Sequence, residues 1–282
     1  MKVQKLFDQG DAKVIEDGSF LCQPFFGVLD GVSPSYTPKE GPKKYHGLSG
    51  GQTVVEIVTN TFSSSYPIRD LSDLDSLLQK ANEEVRKWAL LPNLPIEQTD
   101  KLPATALAVV FVGEKAIEIV IAGDCVAIWQ MKDGKTGASE NRTFFSEKEQ
   151  EDKFAKLMRK YDGNRQKCWE EFIPFQDWSY RTYRNKLVPN GFGVLNGQPE
   201  FCQLLQRYCF FKEEIKTLIL ATDGFVPMEM TKNSDLLSKK VLEIYALGGL
   251  PKLLSDTRSA EKAKHGTSWT TDREATAIAI EF

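Results

Sequence analysis

The sequence has few of the residues that form zinc sites and catalytic triads. It contains two histidines, His46 and His265, which lie far apart in the chain. It contains five cysteines, an odd number, and no two of them have Cys-x-x-Cys spacing. The scarcity of histidine argues against zinc centres and histidine-dependent triads, and the cysteine pattern argues against a disulfide framework. We therefore expect reduced thiols and a cytoplasmic protein.

The chain also lacks a strong excess of charge and a long apolar run. Lys and Arg number 36 and Asp and Glu number 39, so the net charge of −3 gives no reason to expect nucleic acid or a membrane as partner. The most hydrophobic region, 104–129, is interrupted by Gly113-Glu114-Lys115 and by Gly123-Asp124. It therefore predicts paired strands rather than a membrane span. The N-terminal MKVQKLFDQGDAK has no apolar core of the kind found in signal peptides.

Residues 1–282 are predicted to form a single α+β domain, because no repeat or change in composition marks a boundary. Apolar residues at steps of three and four predict helices, and short apolar runs bounded by turn residues predict strands. Predicted helices lie at 51–62, at about 71–88, from the capping-box residue Ser146 onward, and at Asp235–Ala246. Predicted strands lie at Lys13–Ile15, Phe20–Val28, Ala104–Val112, Ala116–Ala122, Val126–Gln130, Thr217–Ala221 and Ala275–Phe282.

What the sequence does have is a set of carboxylates beside glycine at the ends of apolar strands. The segments are VIEDG at Glu16-Asp17, FFGVLDG at Asp30, IEIVIAGD at Asp124 and LILATDG at Asp223, with Asp272 shortly before the last strand. Each could be an ordinary Asp-Gly turn. Taken together they indicate a cleft lined by carboxylates, which repel one another unless cations neutralise them. Oxygen ligands suit hard cations such as Mg²⁺ and Mn²⁺.

The order of these motifs resembles that of the metal-dependent PPM-type (type-2C) serine/threonine protein phosphatases. Glu16-Asp17 stands at the family's first acidic pair, and Asp30-Gly31 stands at the start of its D-G-H-G-G or D-G-M-G-G motif. The segments PATALAVV, IAGDCVAIW, LILATDGF and DREATAIAIEF are similar to the family's G-[ST]-T-A, G-D-S-R, [ST]-D-G and terminal D-N-x-[ST] segments, respectively. The matches run in family order from residue 12 to residue 282.

The resemblance implies a fold of four layers, α-β-β-α. Two antiparallel sheets pack face to face, helices flank them, and metal ions lie in the cleft between the sheets. Residues 131–200 match the family least and correspond to its variable flap beside the active site. The aromatic run between Trp169 and Tyr183 predicts a small satellite core there, with a protein-docking surface as the alternative.

The resemblance also implies two or three Mg²⁺ or Mn²⁺ ions and a set of ligands for them. The implied ligands are Glu16, Asp30, the Gly31 carbonyl, Asp124, Asp223 and Asp272. Asp30 would bridge two ions, and Asp124 with Asp223 would hold a weaker third. Asp17 would orient the water that bridges the ions, so Glu16, Asp17 and Asp30 are the implied catalytic residues.

The sequence departs from the family pattern in three places. Val32-Ser33-Pro34 follows Asp30-Gly31 where the family has His-Gly-Gly or Met-Gly-Gly. Asp11-Ala12-Lys13 lacks the family's phosphate-binding arginine, and Arg273 replaces the asparagine after the terminal aspartate. Lys13 and Arg273 are therefore the candidate phosphate contacts.

The resemblance implies a signalling phosphatase that acts on phosphoserine and phosphothreonine in protein substrates. A water between two cations would lose a proton near neutral pH and attack phosphorus in line, without a covalent phosphoenzyme. Two alternatives remain open at this point. One is a catalytically inactive module that binds or regulates a partner, and the other is a hydrolase of small phosphate esters.

Overall fold

The computed structural model describes residues 1–64, 72–226, 228–262 and 273–282. Within these ranges the strands form two five-stranded antiparallel sheets and a short hairpin. Sheet 1 contains, in spatial order, β1 (Lys2–Asp8), β12 (Ala275–Glu281), β11 (Ile215–Ala221), β8 (Val126–Met131) and β9 (Thr136–Ala138). Sheet 2 contains β10 (Gln206–Phe211), β7 (Ala116–Ala122), β6 (Ala104–Val112), β3 (Phe25–Val32) and β2 (Gly18–Cys22). The hairpin consists of β4 (Lys44–Tyr45) and β5 (Leu48–Ser49).

Helices cover the outer face of each sheet. The helices are α1 (Gly50–Ser63), α2 (Ser72–Leu90), α3 (Phe144–Lys160), α4 (Arg165–Tyr183) and α5 (Ser234–Lys262). Apolar residues of α1 and α2 pack against sheet 2, and those of α5 pack against sheet 1. The order of layers is therefore α-β-β-α, as the family resemblance predicts.

The core between the two sheets explains why the strands read as continuous apolar runs. In β3, Phe26 and Val28 face sheet 1, whereas Phe25 and Leu29 face α1 and α2. Strand β11 alternates in the same way between the inter-sheet core and α5. A strand that is buried on both faces has no solvent side, so the polar alternation of a surface strand is lost.

Helices α3 and α4 form a separate small core within the flap-like region. Phe154 and Leu157 of α3 pack against Cys168 and Phe172 of α4, with Trp169 beside them. The aromatic run is therefore a satellite core, the first of the two alternatives raised by the sequence.

Three sequence predictions are wrong in their details. The predicted strand Phe20–Val28 is two strands, β2 and β3, which pair antiparallel across the turn at Gln23-Pro24. Lys13–Ile15 is not a strand, because the backbone beside it is held by a carboxylate: the N–H groups of Glu16 and Asp17 donate to Glu274. Ser146 is not the residue before α3, which begins at Phe144. The Ser146 hydroxyl lies 2.8 Å from that of Ser179 on α4.

One helix is longer than predicted, and one strand was not predicted. Helix α5 continues to Lys262, well beyond the predicted Asp235–Ala246, although Gly248 and Gly249 are non-helical and bend it. The half-exposed strand β1 was not predicted, because only its pairing with β12 fixes it. In the part of the chain that the structure describes, no helix has the length and hydrophobicity needed to span a bilayer.

The inter-sheet core gives a first prediction. Leu220 of β11 is fully buried between the sheets. Replacing Leu220 with Ala should lower the free energy of unfolding by about 2–5 kcal/mol, because it removes buried methyl groups and leaves a cavity. Urea denaturation measures this change. Leu236→Ala on the exposed side of α5 is the control and should stay within about 0.5 kcal/mol of wild type; equal losses in both variants would contradict the assignment of the core.

Candidate metal centre

Three carboxylates from the two sheets meet at one point. Asp30 lies in β3 opposite Ala106, Asp124 lies in the turn between β7 and β8, and Asp223 lies directly after β11 and Thr222. One carboxylate oxygen of each lies within 4.8 Å of the others. Asp30 comes from sheet 2, Asp223 follows a strand of sheet 1, and Asp124 lies in the turn that connects the two sheets. The cluster therefore lies where the ends of the two sheets approach each other.

Burial and mutual repulsion oppose ionisation of this cluster. Burial, followed by the negative charge of Asp223, raises the pKa of Asp30 and of Asp124 well above the usual aspartate range. Burial also raises the pKa of Asp17 to about 8, and Glu274 and Asp223 add to the rise. Carboxyl groups in this state are stabilised in their ionised form by a cation placed among them.

The Glu16 carboxylate is held by two serine hydroxyls, one just after β3 and one at the start of α1. Its Oε1 accepts hydrogen bonds from Ser33 Oγ, at 2.6 Å, and from Ser49 Oγ. Burial raises the pKa of Glu16, and the two serine hydrogen bonds oppose that rise. Ser49 also caps α1 by accepting from the Gln52 N–H at 3.1 Å. Ser49 and Gln52 form a capping box that the sequence analysis did not identify, since it predicted this helix from its apolar spacing alone.

Two glycines let Glu16 approach α1 and β3 closely. A Cβ on Gly31 would lie 2.5 Å from the Glu16 carbonyl oxygen, and a Cβ on Gly51 would lie 2.7 Å from the Glu16 carboxyl carbon. Real side chains do not tolerate these distances, so glycine is required at both positions for Glu16 to pack against β3 and the start of α1.

Asp17 and the backbone around it are fixed by residues of sheet 1. Asp17 Oδ2 accepts hydrogen bonds from Thr222 Oγ1 at 2.9 Å and from Thr276 Oγ1 at 2.7 Å. The Glu274 carboxylate accepts from the backbone N–H groups of Glu16 and Asp17 at 2.8–3.0 Å. Sequence reasoning missed Glu274 because its partners lie more than 250 positions away in the chain.

Arg273 places a positive charge on the cluster. Its Nη1 forms an ion pair with Asp223 Oδ2. The same guanidinium counteracts the rise in the pKa of Asp30 and of Asp124. Arg273 is thus a direct neighbour of the cluster, although the sequence proposed it only as a contact for phosphate.

Helix α3 contributes a further carboxylate that the sequence did not single out. Burial, and then the negative charge of Asp223, raises the pKa of Glu147. Its carboxylate accepts hydrogen bonds from Thr143 Oγ1 and, at 3.3 Å, from Asn141 Nδ2. The flap-like region therefore reaches the cluster with a charged group.

Two predicted site residues are not brought to this point by the described structure. Asp272 lies outside the described residues, as does His265. Lys13 is exposed and forms no hydrogen bond or ion pair with the carboxylates in the described ranges. Gly31 lies against Glu16, next to Asp30.

Solved structures of phosphatases share this architecture at low sequence identity. Serine/threonine phosphatase Stp1 from Staphylococcus aureus matches with a TM-score of 0.56 and 15% identity, over 100% of this chain and 94% of Stp1. The catalytic domain of the serine/threonine phosphatase PstP, solved with two manganese ions, matches with a TM-score of 0.57 and 14% identity, over 99% of this chain and 97% of that domain. PppA, a regulatory component of T6SS in Pseudomonas aeruginosa, matches with a TM-score of 0.57 and 15% identity, over 100% and 97%.

The chain has the PPM-type phosphatase fold. This confirms the four-layer architecture predicted from the motifs. No protein-family model matches the chain, and no curated protein sequence matches it. At 14–15% identity the structural likeness establishes the fold, and the chemistry depends on the residues at the centre.

Within the PPM-type fold, the donor set of this centre fits hard divalent cations. Asp30, Asp124 and Asp223 offer oxygen ligands, and these suit Mg²⁺ and Mn²⁺. The raised pKa of Asp30 and Asp124 shows that their charges need neutralising. The cysteine beside them, Cys125, is fully buried, and its raised pKa makes it a poor thiolate ligand.

The raised pKa of Asp17 predicts a dependence of stability on pH. Asp17 stays protonated in the folded chain up to about pH 8, whereas in the unfolded chain it ionises near pH 4 (roughly its ordinary pKa). Rising pH between these values therefore favours unfolding, so the free energy of unfolding should fall from about pH 5 to about pH 8. Urea denaturation in a chelating buffer measures the slope.

The variant Asp17→Asn should flatten that slope, because the amide does not titrate. Asp133→Asn is the matched control, since Asp133 lies in an exposed turn with its pKa lowered by Lys135. The interpretation fails if Asp17→Asn and Asp133→Asn leave the same slope.

Proposed function

We propose that this chain is a Mg²⁺- or Mn²⁺-dependent phosphatase that hydrolyses phosphoserine and phosphothreonine esters of proteins. The observation that carries the proposal is the meeting of Asp30, Asp124 and Asp223 from two sheets, with oxygen atoms within 4.8 Å of one another. A scaffold that only binds a partner gains nothing from three like charges at one buried point, because each raises the cost of ionising the others.

The proposed metal ligands are those implied by the motifs. They are Glu16, Asp30, the Gly31 carbonyl, Asp124, Asp223 and Asp272. Support for two cations comes from the fold match to PstP, which was solved with two manganese ions. The carboxylate cluster, and the glycines that let Glu16 pack against Gly31 next to Asp30, provide the local support.

Two divalent cations, when bound, would supply the positive charge that neutralises phosphoryl oxygens and lowers the pKa of a water between them. The protein's own part is to hold that water and the ester in line. Both threonine donors to Asp17 reach the same oxygen, Oδ2, so the other carboxylate oxygen remains to orient a water. Asp17 thus acts as an acceptor whose position is fixed by Thr222 and Thr276.

Arg273 is the proposed contact for the phosphoryl group. Its side chain is 26% exposed and borders the carboxylates, so it can reach an oxygen of a bound ester. A guanidinium can donate two parallel hydrogen bonds to phosphate, which a lysine cannot. Lys13 stays a weaker prediction, because it is exposed and has no contact with the cluster among the described residues.

Two features favour the rival function of an inactive, partner-binding module. The ion pair with Arg273 occupies Asp223, and Val32 stands where many family members have histidine. Hydrolysis of small phosphate esters keeps the same chemistry and differs only in the substrate. Action on phosphoproteins follows the names of Stp1 and PstP, and cytoplasmic signalling stays a prediction.

Turnover of an aryl phosphate and of phosphothreonine peptides, with and without Mn²⁺, separates these functions. Wild type should hydrolyse both only with the metal. Asp30→Asn should lower kcat at least about 100-fold, because it removes a charged ligand shared by both proposed metal positions. Wild type without metal-dependent turnover would support the inactive module.

The control for this experiment is an aspartate of the same charge outside the centre. Asp133→Asn, in the exposed turn after β8, should retain wild-type kcat. Full activity in Asp30→Asn would exclude the proposed mechanism, and activity on the aryl phosphate but not on peptides would favour a small-molecule substrate.

A further inference from the structure

The backbone of Arg273 is held by Arg258, a side chain that is itself anchored by an ion pair. Arg258 of α5 donates to the Arg273 carbonyl oxygen. Arg258 is itself ion-paired with Asp8 at the end of β1, at 2.8 Å. Arg273 is therefore tied to α5 and β1, and β12 begins two residues later.

The side chain of Arg273 reaches the carboxylates from this anchored position. Nη1 pairs with Asp223 Oδ2, and both side chains are about three-quarters buried, at 26% and 22% exposed. The positive charge acts beyond this pair, since it also opposes the rise in the pKa of Glu147 on α3. Arg273 is thus a counter-ion for the whole cluster.

Asp223 is also one of the three carboxylates that form the candidate cation site. A divalent cation bound to Asp223 would lie close to the guanidinium, and like charges at short distance in a partly buried site repel strongly. The guanidinium and a cation would also share the single negative charge of Asp223. Each positive group therefore weakens the binding of the other.

We propose that Arg273 competes with a divalent cation for Asp223 and so sets the cation concentration at which the centre fills. This inference rests on the proposed metal-dependent function, but it concerns a residue that differs from the family's asparagine. Arg273 is a positioning residue in this respect, because it acts through Asp223. Once a cation has taken Asp223, the guanidinium is released toward a phosphoryl oxygen.

Calorimetric titration with Mn²⁺ in the absence of substrate tests the competition. Arg273→Gln should bind Mn²⁺ about tenfold more tightly than wild type, because it removes the repulsion and the competing ion pair. Arg273→Lys keeps the charge without the planar fork and should lie between the two. Arg207→Gln on β10, which removes one arginine paired with Asp75 and Glu118, should leave the Kd for Mn²⁺ unchanged.

A second readout separates competition from a structural effect. If Arg273 also contacts phosphate, Arg273→Gln should raise KM for an aryl phosphate while it tightens Mn²⁺ binding, and a simple loss of fold would weaken both. An Arg273→Gln protein that binds Mn²⁺ no more tightly than wild type would overturn the proposal. If that variant does not fold, Arg273→Lys decides, and a Kd equal to that of wild type would overturn it.

The Mn²⁺-binding measurement and the turnover measurement distinguish failure of the competition from failure of the catalytic proposal. Wild type that binds Mn²⁺ but turns over no ester would refute the proposed function and leave the competition intact. Absence of Mn²⁺ binding in both wild type and Arg273→Gln would refute the competition as well.

Discussion

The carboxylate cluster of Asp30, Asp124 and Asp223 forms where the two sheets approach each other. Like charges at this partly buried site repel one another. Burial adds to the cost of ionising these groups, since it raises the pKa of Asp30 and Asp124 well above the usual range. Because the three carboxylates repel one another, the rest of the fold must hold them together. The strands that bring them together are buried on both faces, and this apolar packing between and outside the sheets provides the required rigidity.

The contacts around the cluster follow from the same constraint. Neutral donors stabilise the acidic segment: Ser33 donates to Glu16, and Thr222 and Thr276 donate to Asp17. Backbone N–H groups of that segment donate to Glu274. Hydrogen bonds to a carboxylate favour its charged form, so these donors offset part of the cost that burial imposes. They also orient each carboxylate before any ligand binds, which is what a preorganised centre requires.

The sequence predicted the strands that carry the acidic residues because apolar runs and Asp-Gly pairs are local signals. The fold followed from the order of six short motifs, no one of which is specific alone. Glu274, Glu147 and Ser49 were missed because their contacts depend on tertiary packing: Glu274 meets Asp17 across 257 positions of chain. Lys13–Ile15 is not a strand, and the backbone that follows it, at Glu16 and Asp17, donates to the Glu274 carboxylate, a contact that also depends on tertiary packing.

Two of the three departures from the family motifs change the contacts of a carboxylate. In Val32-Ser33-Pro34, the Ser33 hydroxyl donates to Glu16 and accepts from the Gly51 N–H at 3.1 Å, so it links the acidic segment to the start of α1. Arg273 places a permanent cation on Asp223. One substitution therefore adds a neutral donor and the other adds a charge. A hydrogen bond acts on one carboxylate, whereas the charge of Arg273 acts on Asp30, Asp124 and Glu147 as well as on Asp223. The substitution at position 273 therefore changes the electrostatics of the whole cluster, and the one at position 33 changes the contacts of a single carboxylate.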